Sequence, residues 1–346
     1  MSNLLKRVKK EGNPLIDGKT VTFVWKGKKA PYINLETNFF RPVKMERAGK
    51  NLWTHSLELP SDAYVEYTFS KKKHQSVIPD PYNSNAIDTG VGHDNHYFSM
   101  PDKVHTDLIL KRPAIKRGKV TKHKITDPGY LPGIKRKVWF YHPPTKKPVP
   151  LLLVLDGKDY KNRGFIVNIV DNLIADGRIQ PIAMAMIDNA GDYRMTEYNQ
   201  GETMPILIQR ALLPLAEKKL NLLDIQDNKG AYGVVGASQG GLMAVYAGLR
   251  LPDIFGKIIA QAGAFVPLKD NRPALIHILV DTLPVQAIKI WQDCGTFDFL
   301  IDSNREMQDQ LRAKGYDLTY SEHSGGHNYT CWRDLLADAL ETMFGV

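Results

Sequence analysis

One serine stands among three glycines in the stretch YGVVGASQGGLMAVYAG, residues 232–248. Gly236, Gly240 and Gly241 around Ser238 fit a corner so sharp that ordinary side chains would collide, with the serine at its tip. The run before it is apolar, and the run after it is apolar at helical spacing. This strand, turn and helix are the context that a G-x-S-x-G nucleophile elbow requires. A serine hydroxyl is a weak nucleophile at neutral pH, so it needs a general base, and the base needs an orienting carboxylate. With this elbow the chain order is serine, then acid, then histidine. Downstream, KIWQDCGTFDFLIDSN ends an apolar strand at Gly295 and offers Asp298, with Asp293 and Asp302 as competitors. EHSGGHNYTCW follows the last strand and offers His327, with His323 as competitor. Asp298 is preferred because it follows the glycine that ends its strand. His327 is preferred because Gly325 and Gly326 let its loop swing back over Ser238. Acyl transfer also needs N–H donors for a developing oxyanion. The Gln239 amide would supply one, and the Lys158 or Gly157 amide the other, where LLLVLDGKDY leaves its strand through a glycine.

The elements that must carry these residues follow from pattern. From VTFVWKG through NLWTHSLELP to AYVEYTFS, short runs rich in Val, Thr, Tyr, Trp and Phe alternate with breakers, which predicts a β-sandwich. VIPDPYNSNAIDTGVGHDNHYFSMP reads as a long loop leading into a last edge strand. A charged, breaker-rich stretch beginning near residue 113 sets the expected domain boundary, giving domains 1–113 and 114–346. Beyond it, strands and helices alternate, which predicts an α/β domain with a doubly wound, mostly parallel sheet. RKVWFYHPP, PLLLVLDG, IAMAMID, YGVVGAS, KIIAQAG, AIKIWQDCG and LTYSEHS are its strands. Several are almost wholly apolar, as central strands covered on both faces are. The segment 265–286 is too long for a simple connection and apolar enough to bury something. It is expected to cap the pocket mouth, with Phe265, Leu275, Ile278 and Leu279 on the acyl side, the alternative being that they pack as a short helix on the core.

Bulk properties narrow the class. A chain of 346 residues is long enough for two cores. The charged N-terminal stretch lacks a signal-peptide core, no run is long and apolar enough to span a membrane, and the expectation is a cytoplasmic protein. Cys294 and Cys331 are too few for a disulfide framework and are not at metal-site spacing. The net charge of +9 is uneven: residues 1–150 hold 28 Lys and Arg against 13 Asp and Glu, whereas residues 151–346 hold 18 against 24. No docking motif for nucleic acid accompanies the basic half, so a solvated basic surface is expected rather than a nucleic-acid partner.

The motifs together resemble the enterochelin esterase and esterase D family of α/β-hydrolases. The matching pieces are VLDG at 154–157, DYRMTEYN at 192–199, GASQGGLMAVYAGLRLPDIFGKIIAQAGAF at 236–265, CGTFD at 294–298 and GGHNYTCW at 325–332. The resemblance runs over 115–346, and the N-terminal part is similar to the immunoglobulin-like, early-set sandwich that precedes such enzymes. It implies a Ser238, Asp298 and His327 triad, with the Lys158 and Gln239 amides as oxyanion hole. Arg194, with Glu197 and Tyr198, is expected in the pocket wall, or else in an ion pair within its loop. One departure concerns charge: enterochelin esterases meet an anionic ferric catecholate, and here only local cations such as Lys158, Arg163 and Arg194 could help, because the catalytic half is net acidic.

The expected function is serine carboxylic-ester hydrolysis through an acyl-enzyme, on a ferric siderophore or another small ester, with no cofactor and no metal. The alternatives are an acyltransferase, or a feruloyl or acetyl-sugar esterase whose N-terminal domain binds glycans. Homo-oligomerisation is left open.

Overall fold

The structure, a computed structural model, describes residues 3–73, 77–90, 92–126, 135–267 and 272–346. Part of the breaker-rich stretch, 127–134, and part of the expected cap, 268–271, lie outside the described residues. The chain falls into two compact units. One comprises 1–105 with 295–299 and 322–331, and the other 106–294 with 300–321 and 332–346.

The first unit carries ten strands: β1 (Leu15–Asp17), β2 (Thr20–Lys26), β3 (Tyr32–Leu35), β4 (Val43–Lys44), β5 (Glu46–Gly49), β6 (Leu52–Glu58), β7 (Tyr64–Ser70), β8 (Val77–Ile78), β9 (Ala86–Asp88) and β10 (Asp94–Ser99). They form two antiparallel sheets, ordered β1-β2-β6-β5 and β4-β3-β7-β10-β9, with β8 on β7. Alternation along β2 explains the packing. Val21 and Phe23 face the core shared with Ile33, Val65 and Tyr67 of the other sheet, and the Phe23 and Tyr67 rings meet edge to face at 4.8 Å. Val24 points the other way, under a helix, Asn3–Glu11, whose Leu5 and Val8 share a face at i, i+3. One expectation is corrected here. β10 is not an edge strand: β9, hidden in what reads as loop, pairs with its outer side.

The second unit holds β11 (Lys119–Thr126), β12 (Lys135–His142), β13 (Leu151–Val154), β14 (Ala183–Ile187), β15 (Tyr232–Ala237), β16 (Phe255–Gln261) and most of β17 (Lys289–Gly295) and β18 (Asp317–His323). Their order is β11-β12-β14-β13-β15-β16-β17-β18. β11 and β12 are antiparallel, and β13 through β17 run parallel. The sandwich strands end at Ser99 and this sheet begins at Lys119. Leu151–Val154, Ala183–Ile187 and Tyr232–Ala237 are buried throughout, as central parallel strands should be. The chain runs from β13 outward to β14, then returns to β15 on the other side of β13. That reversal makes the carboxyl ends of β13 and β15 a topological switch point, where open α/β sheets hold ligands.

Candidate active site

The elbow stands at that switch point. β15 ends at Ala237, the helix Gln239–Arg250 begins at once, and Ser238 between them has φ 59° and ψ −123°. A residue with a side chain is strained there. The backbone holds it in place: the Ser238 N–H donates to the Gln261 carbonyl at 2.9 Å, and the Ser238 carbonyl accepts from Ala264 N–H at 3.0 Å and Leu242 N–H at 3.1 Å. Gly236 is required by close approach, since a Cβ there would lie 2.2 Å from the Gly240 carbonyl oxygen.

The neighbouring strand end is built around Asp156, also at positive φ, 50°. Its carboxylate accepts Arg194 in a two-pronged ion pair, Nε to Oδ1 and Nη2 to Oδ2, both 2.7 Å, and accepts Asn189 Nδ2 at 2.6 Å. Its own N–H donates to the Tyr198 hydroxyl at 3.2 Å, and the Arg194 guanidinium lies 5.2 Å from the Tyr198 ring centre. Arg194 is thus in an ion pair, but with Asp156, 38 positions earlier, rather than within its own loop, and Tyr198 is fully buried beneath Asp156. Burial pushes the Tyr198 hydroxyl well above its ordinary pKa. Glu197 turns away from Arg194 to pair with Arg136 at 2.6 Å, both side chains buried. Gly157 and Lys158 open the short helix Gly157–Asn162, and Gln239 opens its own, so all three belong to first turns whose amides have no intrahelical acceptor.

Asp298 and His327 come together within the first unit. The Asp298 N–H closes a turn on the Gly295 carbonyl at 3.0 Å, and its side chain is completely buried. His327 Nδ1 lies 2.7 Å from Asp298 Oδ2, and its ring packs on Phe299 with centroids 4.8 Å apart. Two backbone bonds lace the loops together, Phe297 N–H to the Gly325 carbonyl and Thr296 N–H to the His323 carbonyl, at 3.0 and 2.8 Å. The competing acids sit differently. Asp302 is 91 % exposed on the first turn of the helix Ile301–Lys314, and Asp293 accepts from Trp291 Nε1 and Gln261 Nε2 inside the core.

Residues 131–343 match the family described as Putative esterase. The chain belongs to this esterase family. Carboxylic ester hydrolysis is its activity class. Among its relatives are the iron(III) salmochelin esterase of Escherichia coli, 23 % identical over 95 % of this chain and 88 % of that protein, and the iron(III) enterobactin esterase of Dickeya dadantii, 29 % identical over 60 % of this chain and 51 % of that protein. The chain thus spans about half the length of the Dickeya relative. In fold, the esterase is similar to the enterobactin esterase of Shigella flexneri (TM-score 0.76, 21 % identity, 99 % of this chain and 98 % of that chain). The esterase has no helix, among the described residues, long and apolar enough to cross a membrane, and no described cluster of His, Cys, Asp and Glu suited to a metal ion. In its expected cap, the helix Leu275–Thr282 buries Ile276 and Val280, Leu279 packs against the core of the sheet, and Leu275 and Ile278 face solvent.

Proposed function

We propose that this esterase is a serine hydrolase working through an acyl-enzyme, with Ser238 as nucleophile, His327 as general base and Asp298 as its orienting carboxylate. The observation that carries the reading is the 2.7 Å bond between His327 Nδ1 and the buried Asp298 carboxylate. A carboxylate only accepts, so Nδ1 bears the proton and Nε2 is left basic. Nε2 then takes the Ser238 proton as Oγ attacks the ester carbonyl carbon. The oxyanion is received by the Gln239 N–H and by the N–H of Lys158 or Gly157. Collapse expels the alcohol, which takes the proton from His327, and water repeats the cycle on the acyl-serine. The strained backbone of Ser238 supports the same reading, because such strain collects at reacting residues.

The relatives' names support a ferric siderophore ester as substrate. Arg194 and Leu279, both partly exposed, stand as candidate substrate contacts, and 1–113 and 114–346 as sandwich and catalytic domains. The test measures hydrolysis of siderophore, feruloyl and p-nitrophenyl esters alongside labelling by a fluorophosphonate. Ser238→Ala should lose about 10⁶-fold in kcat and all labelling. Asp298→Asn and His327→Ala should lose orders of magnitude, while Asp302→Asn should change little. Labelling of another residue, or an active Ser238→Ala, refutes the assignment.

A further inference from the structure

The loop that carries His327 is held from both sides by one carboxylate of the sandwich sequence, Glu36. Glu36 follows β3 in a single 3₁₀ turn, Glu36–Asn38, and is only 2 % exposed. Its Oε1 and Oε2 accept the Asn328 side-chain amide at 3.0 and 3.2 Å, and Oε2 also accepts the Glu66 backbone N–H at 3.0 Å. Asn328 is the residue after His327, and its own Oδ1 accepts the Cys331 N–H at 2.9 Å, tying the contact into the start of the helix Tyr329–Phe344. On the other side of His327, Gly326 lies so close that a Cβ would fall 2.5 Å from Glu36 Cδ. Tyr64 N–H donates to the Ser324 carbonyl at 3.0 Å, pinning the loop two residues earlier to β7. All of these residues belong to the first compact unit.

This arrangement is costly. Glu36 is pushed well above its ordinary pKa by burial and by the Glu66 carboxylate beside it, with Asp298 adding in the same direction. Glu66 is buried too, bonded by Asn95 Nδ2 at 2.7 Å and by the Tyr64 hydroxyl at 3.3 Å. A sandwich core gains nothing from two buried carboxyls that an apolar pair would not supply better. What the pair does supply is a polar clamp with fixed geometry on a loop whose paired glycines would otherwise leave it loose.

We infer that Glu36 is a positioning residue for the general base: by gripping Gly326 and Asn328 it fixes the height and tilt of His327 against Asp298. The sandwich sequence thus supplies part of the hydrolytic machinery. The inference rests on the reading of Ser238, His327 and Asp298 as the reacting set. It names no contact with substrate for Glu36.

The test follows kcat and KM for a p-nitrophenyl ester in four variants. Glu36→Gln presents a donor where two donors must be accepted, and should lower kcat about 10- to 100-fold with KM within about twofold, the scale of a displaced catalytic group. Asn328→Asp sets two carboxylates face to face and should do the same. The double variant Glu36→Gln/Asn328→Asp exchanges donor and acceptor at the contact and should recover at least tenfold of the loss. Asn328→Ala cuts the link from the loop side, with the same expected fall in kcat should Glu36→Gln not accumulate as folded protein. Val21→Ala, a core truncation in the other sheet, should lower Tm comparably and keep kcat. Glu36→Gln or Asn328→Ala with wild-type kcat overturns the inference, as does an equal loss of kcat in Val21→Ala. Ser238→Ala in the same assay separates the two levels: if it is inactive, failure at Glu36 sinks only the clamp, and if it is active, the reading of the site falls and takes the clamp with it.

Discussion

Replacing Ser238 by glycine should make the protein inactive and more heat-stable at once. The backbone at this position, φ 59° and ψ −123°, is one that a residue with a Cβ occupies at a cost of about 1–3 kcal/mol, whereas glycine enters it freely. Against that relief stands the greater freedom that glycine has in the unfolded chain, about 0.5–1 kcal/mol. The serine side chain makes no hydrogen bond to the helix N-terminus, so no cap is lost. The net expectation is a gain of about 1 kcal/mol, which for a catalytic unit of this size raises Tm by about 2–4 °C. The comparison is with Ser238→Ala, which removes the same hydroxyl but keeps the Cβ and its strain, and should melt within about 1 °C of the wild type. Differential scanning calorimetry of the three proteins reads the effect directly. If Ser238→Gly melts at or below Ser238→Ala, the backbone at the elbow stores no strain, and the argument from strain to reactivity fails.

Two further outcomes test the electrostatics. Glu197→Gln leaves the buried Arg136 guanidinium without its counter-charge and should cost about 3–5 kcal/mol, whereas Arg136→Met/Glu197→Leu should recover most of that in the same urea titration; equal losses would show that the pair acts through packing. The pH dependence of stability should carry the mark of Glu36. Its folded pKa stands above the ordinary 4.5, so its contribution is complete below that value and is lost as pH rises through the folded pKa. The Tm of the wild type minus that of Glu36→Gln should therefore fall from pH 4.5 upward, with the Glu66 and Asp298 carboxyl groups and the Tyr64 hydroxyl facing Glu36. A flat difference across pH 4–8 would remove the raised pKa from the account.

The parts of this fold that were legible in sequence are those with a local period. PLLLVLDG, IAMAMID and YGVVGAS show as buried strands because each is apolar throughout, and the crowding of glycines shows the elbow because only a close approach asks for it. Where charge overlays the period the reading fails. KVTKHKIT looks like part of a charged linker and is β11, an edge strand whose lysines face out. The helix Asn3–Glu11 hides two buried residues, Leu5 and Val8, among lysines. Polar partnerships left no trace at all. Glu36 and Asn328 are 292 positions apart, and Arg194 meets Asp156 across 38, so neither pair has a spacing to recognise. Asp156 stood in the quoted VLDG motif, but only its glycine carried a local reason to be there.

The close approach of Gly236 to Gly240 fixes where this chemistry can vary. Strand end and helix start are in contact through their backbones, so a side chain at Gly236 would push them apart and move the serine between them. If Ser238 is the nucleophile proposed above, it is a survey mark, and what is adjustable lies in the segments measured from it. A descendant of this chain that came to prefer another ester would carry its changes in the strand-end stretches around 189–202 and 272–286. There the exposed side chains, Tyr193, Met195, Leu275 and Ile278 among them, can be exchanged without the backbone taking notice.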